Sequence, residues 1–153
     1  MKFNKIIFIL SLLVFVACKQ ETKLNSDNEL KEIIKKKVTS GQKSLDLRKI
    51  TEFQWDSLII LTPYINYDKI ETQFNTNLSQ VRHTSIQSRD DISQLIFFKD
   101  GEPIKMIEYP RFPGDFATNK VEFIKRDNAK FDIVITNEKT IGGDYVIKLI
   151  KQE

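Results

Sequence analysis

The sequence predicts an α+β domain: a mostly antiparallel β-sheet of about five to six strands, with an N-terminal helix and one short helix on one face. Three observations predict it. Leu30, Ile33, Ile34 and Val38 recur at helical spacing near the start of the chain. Ile70 and Phe74, four apart, mark a second and shorter helix. From Leu95 onward, short β-branched and aromatic runs are separated by Asp-Gly, Asp-Asn and Gly-Gly turns. A chain of 153 residues is the size of one domain and long enough to bury its own core.

The first helix is expected over about 27–39. Ser26-Asp27-Asn28-Glu29 reads as a capping box, in which Ser26 accepts an amide three residues on and Glu29 reaches back. Lys35, Lys36 and Lys37 crowd the last turn, where the helix dipole favours cations, and Gly41 suits the residue beyond the end. Leu45 and Leu47 alternate with Asp46 and Arg48 as in a strand. Leu58-Ile59-Ile60-Leu61, stopped by Pro63, reads as a central strand covered on both faces. Asn66 is placed to cap the short helix. Residues 75–93 are polar and weakly patterned, with Leu78, Val81, Ile86 and Ile92 as their apolar points, and the sequence does not divide them into strand and loop.

Leu95–Phe98 is expected to meet Ile104–Tyr109 across Asp100-Gly101, a hairpin signal. Val121–Ile124 is expected to meet Phe131–Ile135 across Asp127-Asn128, with Phe131, Ile133 and Ile135 on one face. Gly142-Gly143 turns the chain into a last strand over about 145–150. Between the two hairpins, residues 109–116 form an aromatic loop stiffened by Pro110 and Pro113. Tyr109, Arg111 and Phe112 are the candidate partner-binding residues, because Tyr, Arg and Phe in a restrained loop make good interface anchors. Core filling is the rival role, above all for Phe116; for Phe53 and Trp55 it is the preferred one.

The chain begins with a different signal. Lys2 and Lys5 precede an apolar run from Ile6 to Ala17, which is too short to cross a bilayer and fits a secretory signal. It ends in Phe15-Val16-Ala17-Cys18 ahead of the polar run 19–23. This ending resembles the lipobox of bacterial lipoproteins, and the only Cys of the chain falls at its modified position. The resemblance implies removal of residues 1–17, lipidation (a diacylglycerol thioether and acyl chains, palmitate among them) at Cys18, and a lipid-anchored place in the cell envelope. Lys19 after the Cys leans toward the outer membrane where the cell is diderm. Residues 18–25 then read as a tether and 26–153 as one domain. Phe53-Gln54-Trp55-Asp56 followed by Pro63-Tyr64 is similar to a phrase in small bacterial lipoproteins, a resemblance that carries no activity with it.

Charge and composition narrow the function. The chain has 24 Lys and Arg against 21 Asp and Glu; removing residues 1–17 takes two Lys and no acid, which leaves +1. Nothing there argues for nucleic acid. With Cys18 consumed by lipid, His83 is the single imidazole, in a segment matching no nucleophile motif. Asp90-Asp91 lacks the spacing of a calcium loop, and Gly142-Gly143 lacks a phosphate-loop context. No cofactor and no metal are expected. The sequence therefore predicts a membrane-anchored envelope lipoprotein with a non-enzymatic domain that binds a protein or another component of the envelope. Two readings compete with it: an envelope hydrolase using carboxylates, and an immunity- or inhibitor-type lipoprotein.

Overall fold

The computed structural model describes residues 22–118 and 120–152. The expected signal segment 1–17 and Cys18 lie outside them. In chain order the elements are α1 (Asn28–Thr39), β1 (Ser44–Asp46), α2 (Leu47–Ile50), β2 (Ser57–Leu61), α3 (Tyr67–Phe74), β3 (Ile92–Lys99), β4 (Glu102–Pro110), β5 (Gly114–Ala117), β6 (Phe123–Lys125), β7 (Lys130–Lys139) and β8 (Tyr145–Lys151). The class is α+β. The eight strands, however, form two four-stranded sheets, ordered β4-β3-β2-β6 and β1-β7-β8-β5, where the sequence predicts one sheet.

The first sheet is covered on both faces, and its alternation divides the core in two. Leu58 and Ile60 of β2, Leu95 and Phe97 of β3, and Ile107 and Tyr109 of β4 point toward the second sheet, where Phe116, Phe131 and Leu149 meet them. Ile59, Leu61, Ile96, Phe98 and Met106 point the other way, into a cluster with Tyr67 and Ile70 of α3. The α1 residues Leu30, Ile34 and Val38 join the inter-sheet cluster. The two helices therefore serve opposite faces of the first sheet. The polar composition of 75–93 conceals four buried anchors: Leu78, Val81, Ile86 and Ile92 all enter the α3-side cluster, carried by short 3-10 turns at Ser79–Val81 and Ile86–Ser88.

Local signals hold where they specify hydrogen bonds. Asn66 caps α3 by accepting from Lys69 N at 3.1 Å. The β3–β4 hairpin turns on Asp100 and Gly101, both with positive φ. Asp56 pins that turn, accepting from Asp100 N and Lys99 Nζ at 2.8 Å each. Gly142-Gly143 sits in the turn joining β7 to β8, which pair antiparallel.

Several expectations are corrected. The cap of α1 is Asp27, whose Oδ1 accepts from Leu30 N at 2.9 Å; the Ser26 hydroxyl instead accepts from Glu108 N on β4. Leu47 opens α2 and does not extend a strand. Asp127-Asn128 is no hairpin turn: β6 pairs with β2 in one sheet and β7 with β1 and β8 in the other, so the 3-10 turn at Arg126–Asn128 carries the chain between sheets. Residues 114–117 are a strand, and β5 pairs parallel with β8. Leu24, assigned to the tether, donates to Gln80 O at 2.9 Å and packs on the α3-side cluster.

Candidate partner-binding site

The three candidate residues separate into a core residue and a surface pair. Tyr109 is fully buried, so it cannot meet a partner. It lies on the β4 face that looks into the inter-sheet core, with its ring edge-on to Phe116 at 5.4 Å between centroids. Its hydroxyl has no hydrogen-bond partner in the protein. Burial, with a further contribution from Glu32, pushes that hydroxyl well above the usual tyrosine range. The reason is strand periodicity: β4 runs to Pro110, and Tyr109 keeps the inward parity of Ile107.

Arg111 and Phe112 follow where the strand ends. Arg111 is held from three sides. Its Nε and Nη2 donate to the two oxygens of Asp115 at 3.0 and 2.7 Å, and its Nη1 donates to Asp90 O at 3.0 Å. Its own amide donates to Asp91 O at 2.9 Å. The bidentate Asp115 contact raises the guanidinium pKa further. A side chain fixed in this way loses little rotamer freedom on binding. Phe112, next to it, leaves 49% of its surface in water. Phe116 is buried against Tyr109 and Phe131, so the core role falls to it.

Gly114 has a stricter role than loosening a turn. A Cβ placed there would stand 2.7 Å from Val38 Cγ1, so the glycine lets α1 close on the start of β5.

Sequence reasoning missed the rest of the exposed end. Gly114 is in register with Ile147, and Ile147 with Ile135. Phe112 precedes Gly114 by two residues, and Tyr145 precedes Ile147 by two on a parallel strand. Tyr145 therefore lies beyond that row on β8, and Phe112 lies in the turn between β4 and β5 that enters β5 at Gly114. Ile135 is 66% exposed and Tyr145 52% exposed. The odd residues of β7 continue the face that carries Phe131 into the core, but by Ile135 the strand has outrun its cover. β1 pairs only with the first three residues of the ten-residue β7, Lys130–Asp132, and this could be read only once the pairing was known.

The other singled-out residues fall where their chemistry is mute. His83 is exposed on the polar segment after Val81. Asp91 is bound to Arg89, whose side-chain contact lowers its carboxyl pKa. Trp55 is buried in the inter-sheet core, edge-on to Phe97, and donates from Nε1 to Thr51 at 2.8 Å. Phe53 is partly buried against the same cluster. Among the described residues, no group of three or more His, Cys, Asp or Glu is arranged to hold a metal ion. Among them, too, no helix is long and apolar enough to cross a membrane.

Comparison with protein-family models finds no match for this chain, and comparison with curated proteins and with solved structures finds none either.

Proposed function

We propose that this protein is a lipoprotein of the cell envelope, cleaved before Cys18 and anchored there by lipid, whose α+β domain acts by binding an envelope protein. The anchor rests on the basic start, the apolar run and Ala17-Cys18. Two or more acyl chains give stable anchoring where one is marginal. In a diderm cell, Lys19 favours the outer membrane.

The binding half rests on one observation: Phe112, in the turn that enters β5, is a large apolar side chain half-exposed beside an Arg111 already fixed by Asp115, and Ile135 and Tyr145 on β7 and β8 are exposed as well. Exposed large apolar side chains flanked by a rigid charged group suit an interaction surface. The docked Leu24 leaves few residues between the anchor and the body, so the domain works close to the membrane.

Two measurements test the two halves separately. Intact-mass analysis of the membrane-extracted protein should give the mass of the chain from Cys18 plus lipid; a free Cys18 thiol ends the anchor reading. Capture from envelope extract should recover a partner with the parent protein and lose it with Arg111→Ala/Phe112→Ala. Retention of that partner at full affinity by the folded double variant ends the assignment of this surface.

A further inference from the structure

Four cations converge with a single carboxylate where α1 ends and β1, α2 and β7 begin. The place is a cleft of about 360 Å³ lined by Lys37, Asp46, Arg48, Lys49 and Lys130. Asp46 is already committed: it accepts from Arg48 Nε at 2.9 Å, from Arg48 Nη2 at 2.7 Å and from the Arg48 amide at 3.1 Å. Lys130 is opposite Asp46 in the β1–β7 register, yet makes no ion pair with it. Among the described residues, Lys37, Lys49 and Lys130 make no ion pair at all.

The cleft lining thus carries +3, whereas the whole chain beyond residue 17 carries +1. The rest of the domain is net acidic, and the positive charge is concentrated here. Folding explains only part of it. Lys37 complements the C-terminal dipole of α1. Lys49, in the last turn of the one-turn α2 and acting on Asp46 through space, gains a smaller share of such help, and Lys130 on β7 gains none, while three like charges around one cleft repel each other. Arg48, oriented through Nε and Nη2, keeps Nη1 for a further acceptor.

We propose that this cleft binds a phosphate-bearing anion of at least two negative charges. Lysine ammonium groups bind phosphate as point charges, and a pre-oriented guanidinium adds direction. Phosphate of this kind comes either as a free di- or oligophosphate or as an anionic phospholipid headgroup. The site is separate from the exposed end of the second sheet and rests neither on that surface nor on the anchor reading.

The test uses the full-length chain with sodium pyrophosphate in calorimetric titration, and with phosphatidylglycerol against phosphatidylcholine vesicles in flotation. The anchor contributes equally to both vesicles. Lys37→Gln/Lys49→Gln/Lys130→Gln should weaken pyrophosphate binding about tenfold. The control Lys31→Gln/Lys69→Gln/Lys125→Gln makes the same charge change elsewhere and should alter it less than about twofold. Lys49→Arg/Lys130→Arg should retain binding, which keeps the test decisive where the Gln variant melts early. An excess of phosphatidylglycerol over phosphatidylcholine binding that disappears in the cleft variant identifies the headgroup as the source; pyrophosphate binding without that excess identifies the free anion. Equal losses in the two triple variants, or neither pyrophosphate binding nor a phosphatidylglycerol preference, overturns the proposal.

Discussion

Asp27 divides its carboxylate between Lys105 and its own helix. Oδ2 accepts Lys105 Nζ at 2.8 Å, while Oδ1 accepts the Leu30 amide at 2.9 Å. The backbone makes the same join, since Asp27 N donates to Met106 O at 2.9 Å. One residue therefore starts α1 and ties it to the outer edge of β4, which also keeps that edge from pairing with another chain.

Asp27→Ala should cost about 1–2 kcal/mol of stability, the usual range for a lost N-cap. Asp27→Asn keeps the cap and loses the ion pair, so its cost should be smaller. Burial raises the Asp27 pKa, but the Leu30 amide and Lys105 outweigh it and leave the carboxyl below its ordinary value of 3.8. Its contribution is therefore full above about pH 4 and disappears as pH falls through the depressed native value. Urea unfolding of parent and Asp27→Asn from neutral to acid pH should give two stability curves that converge on the acid side. A gap that persists at low pH means the Lys105 pair contributes nothing.

Gly114→Ala should destabilise by about 1–3 kcal/mol, because the new Cβ meets the buried Val38 Cγ1. Removing the obstacle should uncouple the two sites: Gly114→Ala in a Val38→Ala background should cost clearly less than in the parent. Denaturant midpoints of the four proteins in this cycle decide it, and strict additivity would mean that the helix shifts away freely.

What the sequence made legible, and what it left hidden, divides by range. The caps and turns that depend on a few adjacent residues were readable: Asn66 on α3, Asp100-Gly101 between β3 and β4, and Gly142-Gly143 between β7 and β8. The Asp27 cap was misassigned to Ser26 by one residue because both are good caps and only the contact of Ser26 with Glu108, 82 positions away, separates them. Sheet membership was not readable. An Asp-Asn between two β runs suits a hairpin as well as a crossover, and the choice is made by the partners β2 and β8. The candidate site shares this limit. Phe112 and Phe116 look alike in sequence, but Phe116 falls on β5 and is buried, whereas Phe112 falls in the turn between β4 and β5 and is half-exposed. The basic cleft draws Lys37, Lys49 and Lys130 from three separated stretches, so no local motif announces it.

Tyr67, Gln94 and Thr84 form a polar network inside the α3-side cluster. Tyr67 Oη is 2.8 Å from Gln94 Oε1, 2.9 Å from Thr84 Oγ1 and 3.2 Å from Val81 O. Gln94 Nε2 donates to Thr84 Oγ1 at 3.1 Å. The phenol has one proton; when it goes to Gln94, Thr84 Oγ1 donates to Tyr67, and Val81 O still accepts from the Thr84 amide at 3.3 Å. Burial pushes the Tyr67 hydroxyl above its ordinary value, so it stays protonated as a donor. Tyr67→Phe should cost about 1–3 kcal/mol by stranding Gln94. Tyr67→Phe/Gln94→Leu should cost less than the sum of the single changes, since both partners then leave together. Thermal melts of the cycle check this; additive losses would mean the network members act independently.

His83→Ala should leave stability within about 0.5 kcal/mol, the range of an exposed substitution away from caps and cores. The imidazole stands in solvent after the 3-10 turn. Chemical denaturation measures the fold, and the partner capture described above measures function. Loss of function in a folded His83→Ala protein would return the hydrolase reading.

The two phenylalanines of the 109–117 segment should respond in opposite ways to the same truncation. Phe116 is buried, with edge-on contacts to Tyr109 and Phe131 at 5.4 and 5.1 Å. Phe116→Ala should therefore cost about 3–5 kcal/mol, from lost transfer energy and the cavity left between the sheets. Phe112 keeps about half its surface in water and packs in neither core cluster. Its truncation should cost no more than about 1 kcal/mol. Its effect should instead appear in partner binding, where the buried half of an aromatic anchor becomes a whole one. Equilibrium unfolding of both single variants, read beside capture of the partner, separates the roles. A Phe112→Ala protein that unfolds as early as Phe116→Ala would make the end of β4 scaffold and move the binding surface toward Ile135 and Tyr145.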